Sequence, residues 1–360
     1  MTEGVFFGKI RGKIRKDGAR MGARKRILLI ATGGTIASRY TGDGLSPAIS
    51  AKELLSYVPE AKEICDIDTM EPFSLDSTNI GPREWMKLAG LVEEYYERYD
   101  GFVICHGTDT MAYTAAALSY LVQDNRKPVI VTGAQKPIDL ADTDARTNLT
   151  DSLRFACDAR AWRTNIVFGG RVIAGTRAKK ERSKSYNAFS SINYPDIAAI
   201  QDDRIAFYID DKSRAVAPMR VYHEMETRVY LHKLIPGQDG RILDRMREET
   251  RALIIESFGV GGIPNYGDQA YYDAIRQYVA EGREVIMATQ VVHEGSDMAV
   301  YEVGKGIKNE FRLTESYDMT LEACVTKTMW ALGMSRNGND FQKLFYTPVN
   351  HDILFGPMVK

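Results

Sequence analysis

A short apolar run that ends abruptly at two glycines constrains this chain more than any other feature. Arg26–Ala31 reads RILLIA and passes directly into Thr32-Gly33-Gly34-Thr35. Six residues is strand length, and beyond Arg26 no position offers a polar face to water. Such a strand has to be covered on both sides. The pattern recurs at 102–105, 128–132 and 165–168. Between these runs lie segments with helical spacing: 51–57, 82–96 with Pro82 near its first turn, the alanine-rich 111–122, and 144–159. Thr108 or Asp109 is expected to cap the alanine-rich helix. Buried strands separated by helical crossovers predict an α/β domain built on a parallel sheet.

The rhythm breaks near 172–195, where the charged stretch 177–184 suggests a hairpin or mobile segment. A polar span at about 203–226 reads as a linker. Alternation then resumes, with a strand at Ala252–Ser257, a helix at 269–281, a strand at Glu284–Thr289 and a helix at 320–332, where Gly333 is expected to stop the helix. At 360 residues the chain is longer than one core usually serves. The expected organisation is a catalytic α/β domain at 26–205, a linker at 206–226 and a smaller α/β domain at 227–360. A basic leader occupies 1–25, expected to be disordered, with Met21 as an alternative start.

Charge and cysteine usage exclude several functions. Residues 1–26 carry nine Lys or Arg against Glu3 and Asp17, a formal +7, which leaves −8 on the remainder of a chain whose net charge is −1. An acidic body argues against nucleic acid as a partner. No apolar run is long enough to cross a membrane. Cys65, Cys105, Cys157 and Cys324 are widely spaced and form no CxxC pair or Cys/His cluster, so free buried thiols are expected and a metal site is not. The head lacks the apolar core of a secretory signal, which fits a cytoplasmic location.

Two strand ends carry chemistry. In the first, Gly33 and Gly34 let the backbone turn sharply, and Thr35 falls just beyond the carboxyl end of a parallel strand, where open α/β sheets bind ligands. Exposed N–H groups at such a turn suit an oxyanion or carboxylate, although a phosphate-binding turn or a plain loop reads the same way. Walker A and GxGxxG spacings both fail. The second is His106-Gly107-Thr108-Asp109-Thr110-Met111, with the same order of strand, glycine, hydroxyl and carboxylate. His106 is a candidate catalytic group or a packed scaffold residue. A threonine hydroxyl needs a base before it attacks. No GxSxG elbow is present, and Lys179 or Lys180 follows the fifth strand closely enough to reach the cleft and serve.

These strings together resemble the type I, cytoplasmic bacterial L-asparaginases of the asparaginase/glutaminase family. The matching segments are TGGTIA at 32–37, LDST at 75–78, DGFVICHGTDTMAYTAAALS at 100–119, PVIVTGAQKP at 128–137, NAF at 187–189 and SFGVGGIPN at 257–265. The resemblance implies a two-domain fold: a larger flavodoxin/Rossmann-like, mostly parallel sheet followed by a smaller α/β domain. It implies hydrolysis of L-asparagine to L-aspartate and ammonia through an acyl-threonine intermediate, without a cofactor. Thr35 would be the nucleophile. Thr108, Asp109 and Lys180 would form the second catalytic cluster. Asp76 and Asp109 would hold the substrate ammonium, and Ser77 the carboxylate, with Thr78, Thr108 and the Ala134 carbonyl lining the pocket. Family members assemble as homodimers or as dimers of dimers, a homotetramer, and 259–265 is the expected edge against a second copy.

Two departures qualify the match. The family's lid often carries Gly-Tyr-x-Pro, whereas this chain has Gly44-Leu45-Ser46-Pro47, with Tyr40 earlier in the lid. Some type I enzymes have an allosteric asparagine site with a cysteine after Thr-Gln. Here Val291 follows Thr289-Gln290, and Lys179 stands where that site has a threonine, so asparagine cooperativity is expected to be weak or absent. The alternatives on the same scaffold are a glutaminase-asparaginase and a tRNA-amidotransferase subunit of the D type; a non-enzymatic asparagine sensor is more remote.

Overall fold

The computed structural model describes residues 24–42, 44–209, 217–300, 308, 310–311, 313–336 and 338–356. The expected leader lies almost wholly outside the described residues. Eight strands form the larger sheet. From one edge the order is Asp66–Met70, Arg26–Ala31, Gly101–Cys105, Val129–Thr132, Thr164–Phe168, Arg171–Ala174, Ala198–Gln201 and Arg204–Phe207. The first five run parallel. The last three pair antiparallel, so the sheet is mixed. Arg204–Phe207 crosses the expected boundary at 205/206, because its alternating polar residues suit an exposed edge strand as well as a linker.

Period-two alternation explains how one strand serves two cores. Leu28 and Ile30 face one buried cluster, while Ile27 and Leu29 face the other. The helices Pro82–Tyr95 and Met111–Leu121 cover the first face, and Ala145–Cys157 covers the second. In Met111–Leu121 every residue except Tyr113 is buried. The sheet lies on one side of this helix and Leu321–Met334 of the second domain on the other. Its alanines permit that double approach, and Tyr120 stacks on Trp330 at 6.0 Å.

The smaller sheet, Val229–Lys233, Ala252–Ser257, Glu284–Thr289 and Thr314–Glu315, is wholly parallel. Two fully buried ion pairs support the contact between the domains. Arg177 bonds the Asp318 carboxylate and carbonyl, both at 2.7 Å. Lys327 reaches Asp352 at 2.6 Å, and Asp352 also accepts from the Tyr120 hydroxyl at 3.0 Å. Among the described residues no helix is long and apolar enough to cross a membrane.

Two local expectations are corrected. Gly333 does not end its helix, which continues to Met334. A Cβ there would sit 3.0 Å from the Glu224 carbonyl oxygen, so the glycine admits a passing backbone instead. Neither Thr108 nor Asp109 caps the alanine-rich helix, whose N-cap is Thr110 without a side-chain cap bond. The helix starts late enough to leave both side chains in the preceding loop.

Candidate active site

The chain leaves Arg26–Ala31 towards one side of the sheet and then returns to build Gly101–Cys105 on the other, giving the order 2-1-3-4-5 for the parallel strands. The loops after these two strands therefore diverge, opening a crevice where α/β sheets bind ligands. Thr35 follows the first strand and Thr108 the second.

Glycines hold the two tips together. Thr32 donates through its amide and its hydroxyl to the Cys105 carbonyl, at 3.0 and 2.8 Å. Gly33 and Gly34 then take φ values of 98° and 76°. A Cβ on Gly34 would lie 2.3 Å from the Gly107 nitrogen, and one on Gly33 would lie 2.5 Å from the Leu75 carbonyl oxygen. A Cβ on Gly107 would lie 2.6 Å from the Ser77 Oγ. Three loops thus meet backbone to backbone, and any side chain at Gly34 would push the tips apart. Thr110 adds a hydrogen bond of 2.6 Å from its hydroxyl to the Ser77 carbonyl.

Thr35 opens a short 3-10 turn, Thr35–Ala37, and is half-buried. Its hydroxyl has no hydrogen-bond partner among the described residues. Thr108 is buried, and its hydroxyl accepts from Lys180 Nζ at 2.7 Å and donates to Gln135 Oε1 at 3.2 Å. The same ammonium reaches Asp109 Oδ1 at 2.6 Å. Lys180 comes from the hairpin of Ala178–Lys180 and Phe189–Ser191. Successive residues of a strand point to opposite faces, so Lys180 turns to the crevice while Lys179 turns to Glu322 at 3.4 Å.

Asp76 caps the turn Ser77–Asn79, its Oδ1 accepting from the Thr78 amide and hydroxyl, both at 2.8 Å. Ser77 is buried, while Asp76 and Thr78 are exposed. Ala134 is fully buried just beyond Val129–Thr132. His106 belongs to the scaffold. It is wholly buried, with Nδ1 2.7 Å from the Gly107 carbonyl and Nε2 2.9 Å from the Thr114 hydroxyl, which also accepts from Trp85 at 2.9 Å. A carbonyl only accepts, so Nδ1 carries the proton. Burial lowers the imidazole to about 4, which keeps it neutral. Among the described residues no group of three or more His, Cys, Asp or Glu could hold a metal ion.

Residues 26–213 match the family model "Asparaginase, N-terminal", and 228–345 match "Glutaminase/Asparaginase C-terminal domain". The chain belongs to the asparaginase family. An L-asparaginase of Thermococcus kodakarensis is 36% identical over 321 residues, covering 89% of this chain and 96% of the relative. A solved structure of the Thermococcus kodakarensis L-asparaginase superposes with a TM-score of 0.85 at 34% identity, covering 91% of this chain and 99% of that one. L-asparaginase I of Vibrio cholerae O1 biovar eltor gives 0.82 at 27%, with coverage of 92% and 100%. A D-type glutamyl-tRNA(Gln) amidotransferase subunit of Pyrococcus abyssi is 33% identical over 334 residues, covering 89% of this chain and 75% of the relative.

In this asparaginase-family chain, sequence reasoning missed Gln135 and Asp144. Gln135 accepts from Thr108 and donates to the carbonyls of Arg182 and Ser185, at 3.3 and 3.1 Å, which ties the Lys180 hairpin to the Thr108 loop. The Asp144 carboxylate accepts from the Gln135 backbone N–H through both oxygens at 3.0 Å. The only clue in the sequence was an amide side chain directly after a strand tip. In the segment after Thr35, Ser38–Thr41 pairs with Gly44–Pro47, Tyr40 stands opposite Leu45, and the Tyr40 side chain is exposed. Near Lys179, the Gln290 side chain donates to the carbonyls of Leu234 and Glu256, at 2.6 and 3.0 Å.

Proposed function

We propose that this chain is an L-asparagine amidohydrolase of the type I, cytoplasmic kind, releasing L-aspartate and ammonia. The observation that carries this reading is the Lys180 ammonium seated on both Thr108 and Asp109, beside a glycine contact that brings the Thr35 loop against theirs. Thr35 Oγ attacks the side-chain amide carbon, the carbon–nitrogen bond breaks, and ammonia leaves with the hydroxyl proton. Water, positioned by Thr108, then cleaves the acyl-threonine ester and restores Thr35. Lys180 governs the proton on Thr108, and Asp109 holds Lys180 in place. Asp76 and Asp109 face the substrate ammonium, and Ser77 with nearby N–H groups faces its carboxylate. Thr78 acts through its bonds to Asp76. The buried Ala134 lines the pocket with its carbonyl.

The working enzyme is a homodimer or a dimer of dimers whose sites are closed at 259–265. The catalytic domain runs from 26 through the edge strand Arg204–Phe207, and the linker beyond it joins the second domain at 227–360. The test is Thr35→Ala in an ammonia-release assay with asparagine and glutamine. Turnover falls by orders of magnitude while the fold survives. Near-normal turnover would reassign the nucleophile. The similarity to the Pyrococcus abyssi amidotransferase sustains a second reading, in which free asparagine is a poor substrate; brisk ammonia release from free asparagine discards it.

A further inference from the structure

No step of the proposed reaction uses Gln135, yet its side chain is bonded to the Thr108 hydroxyl at 3.2 Å. The residue lies just beyond Val129–Thr132, and its backbone is fixed from two sides. A Cβ on Gly133 would lie 2.2 Å from the His106 carbonyl oxygen, so this loop presses against the one that carries Thr108. The buried Asp144 carboxylate accepts from the Gln135 and Lys136 backbone N–H groups at 3.0 and 3.2 Å, and from the Asn148 side chain at 3.2 Å. The Gln135 side chain therefore leaves a rigid base.

The donors and acceptors around Thr108 fix which way each proton points. The Arg182 and Ser185 carbonyls only accept, so the Gln135 Nε2 hydrogens face them, at 3.3 and 3.1 Å, and Oε1 faces Thr108. Oε1 also only accepts. The Lys180 ammonium only donates, and it reaches Thr108 Oγ1 at 2.7 Å. A hydroxyl carries a single proton. The Thr108 proton is therefore committed to Gln135 and one lone pair to Lys180. The other lone pair is what Thr108 can offer to a molecule in the crevice. Held this way, Thr108 receives a hydrogen bond from the crevice and cannot give one.

We infer that Gln135 is a positioning residue for the second half of the reaction, the hydrolysis of the acyl-threonine ester. The inference rests on the proposed route through an ester on Thr35. With its proton held by Gln135, Thr108 accepts a hydrogen bond from the hydrolytic water, and a lone pair of that water turns towards the ester carbon. The water oxygen bonds to the carbon, the bond to Thr35 Oγ breaks, one water proton ends on Thr35 Oγ, and the other leaves as the product carboxyl ionises. Without Gln135 the Thr108 hydroxyl swings its proton into the crevice, donates to the water, and ties up the lone pair needed for attack. The first half makes no such demand, because Thr35 supplies the attacking oxygen. Loss of Gln135 thus slows release of aspartate more than release of ammonia. The same side chain also holds the hairpin turn, but Lys180 has anchors of its own in its ladder to Phe189 and its bond to Asp109 at 2.6 Å.

The test compares Gln135→Met, which removes both contacts, with Gln135→Glu, which keeps an acceptor for Thr108 but loses the donors to the hairpin. Ammonia release from asparagine by the full chain is followed by rapid quench and in the steady state, with and without hydroxylamine, a nucleophile stronger than water. In Gln135→Met, kcat should fall about tenfold, the worth of one hydrogen bond to a reacting group, with Tm unchanged. KM should fall with it and leave kcat/KM unchanged, because that ratio reports only the steps through ammonia release. A stoichiometric burst of ammonia should precede the slow phase, an aspartyl adduct should appear on Thr35 in the quenched protein, and hydroxylamine should restore most of the lost rate. Trypsin should cut Gln135→Glu after Arg182 or Lys184 faster than wild type, yet this variant should show no burst. A wild-type kcat in Gln135→Met, a fall in kcat/KM without a burst, or an equal burst in Gln135→Glu would overturn the inference. An adduct on Thr35 that hydroxylamine does not relieve overturns the inference alone, whereas an adduct on Thr108 overturns the nucleophile assignment and the inference with it.

Discussion

Replacing Lys180 by methionine separates chemistry from scaffolding, because the two costs differ greatly in this structure. The Asp109 side chain is 62% exposed, and an exposed ion pair contributes about 0–1 kcal/mol. Methionine keeps a comparable apolar stem. Thr108 keeps Gln135 as a partner, so its buried hydroxyl is not stranded. Stability should therefore fall by roughly 1 kcal/mol at most, a few degrees in Tm. The chemical loss is larger. A positioned proton-transfer group contributes about 10²–10⁴ in rate, which at about 1.4 kcal/mol per decade is roughly 3–5 kcal/mol of barrier. Ammonia release and thermal unfolding are measured on one preparation. The expected result is a kcat lower by two to four decades, on the order of a general acid–base contribution, with KM and Tm nearly unchanged. Lys180→Arg keeps the cation but is always protonated, so activity stays lost if Lys180 accepts a proton. Turnover of Lys180→Met within about tenfold of wild type would refute the reasoning, as would a loss tracking global unfolding.

Four further outcomes follow from the same structure. Gly34→Ala places a Cβ 2.3 Å from the Gly107 nitrogen at a φ of 76°, so stability should fall by at least about 1 kcal/mol and turnover should collapse with it; a stable, active variant would contradict the loop contact. Asp352→Ala leaves Lys327 buried without its carboxylate and should cost about 3–5 kcal/mol in denaturant unfolding; a cost under 1 kcal/mol would show that the pair is not buried as described. Burial raises Glu284 from its ordinary 4.5 to about 7, opposed by Arg251. The native state holds that proton more tightly than the unfolded chain, so the contribution is full below about pH 4.5 and lost as pH rises through about 7. Glu284→Gln should therefore gain Tm relative to wild type between pH 5 and pH 8, and a difference flat across that range, on the order of three pH units, would sink the assignment. Initial rates against asparagine should be hyperbolic, because Lys179, paired with Glu322, stands where the family resemblance would put the threonine of an effector site; sigmoidal rates would reverse this.

Much of the architecture was legible because it is written in local patterns. The apolar runs at 26–31, 102–105 and 128–132 announce strands covered on both faces, and helical spacing between them dictates parallel crossovers. The pairing of a glycine with a hydroxyl residue at two strand ends was also visible, and with it the candidates Thr35, Thr108 and Asp109, while Lys180 stood beside Lys179 until the family resemblance singled it out. Such features depend on neighbours within a few residues, where backbone geometry translates sequence directly into shape.

What the linear chain left undecided depends on contacts between residues far apart along it. The close passage of Gly34 against Gly107 needs two strands in register, and the same glycines would suit a phosphate turn in another sheet. The choice of Lys180 over Lys179 turns on which hairpin face meets the crevice. Gly333 looked like a helix stop, and only the passing Glu224 carbonyl shows its purpose. Gln135 bridges two loops that lie far apart along the chain. A polar side chain or a thiol acquires its chemistry from whatever packing brings to it, and packing is a property of the whole folded core.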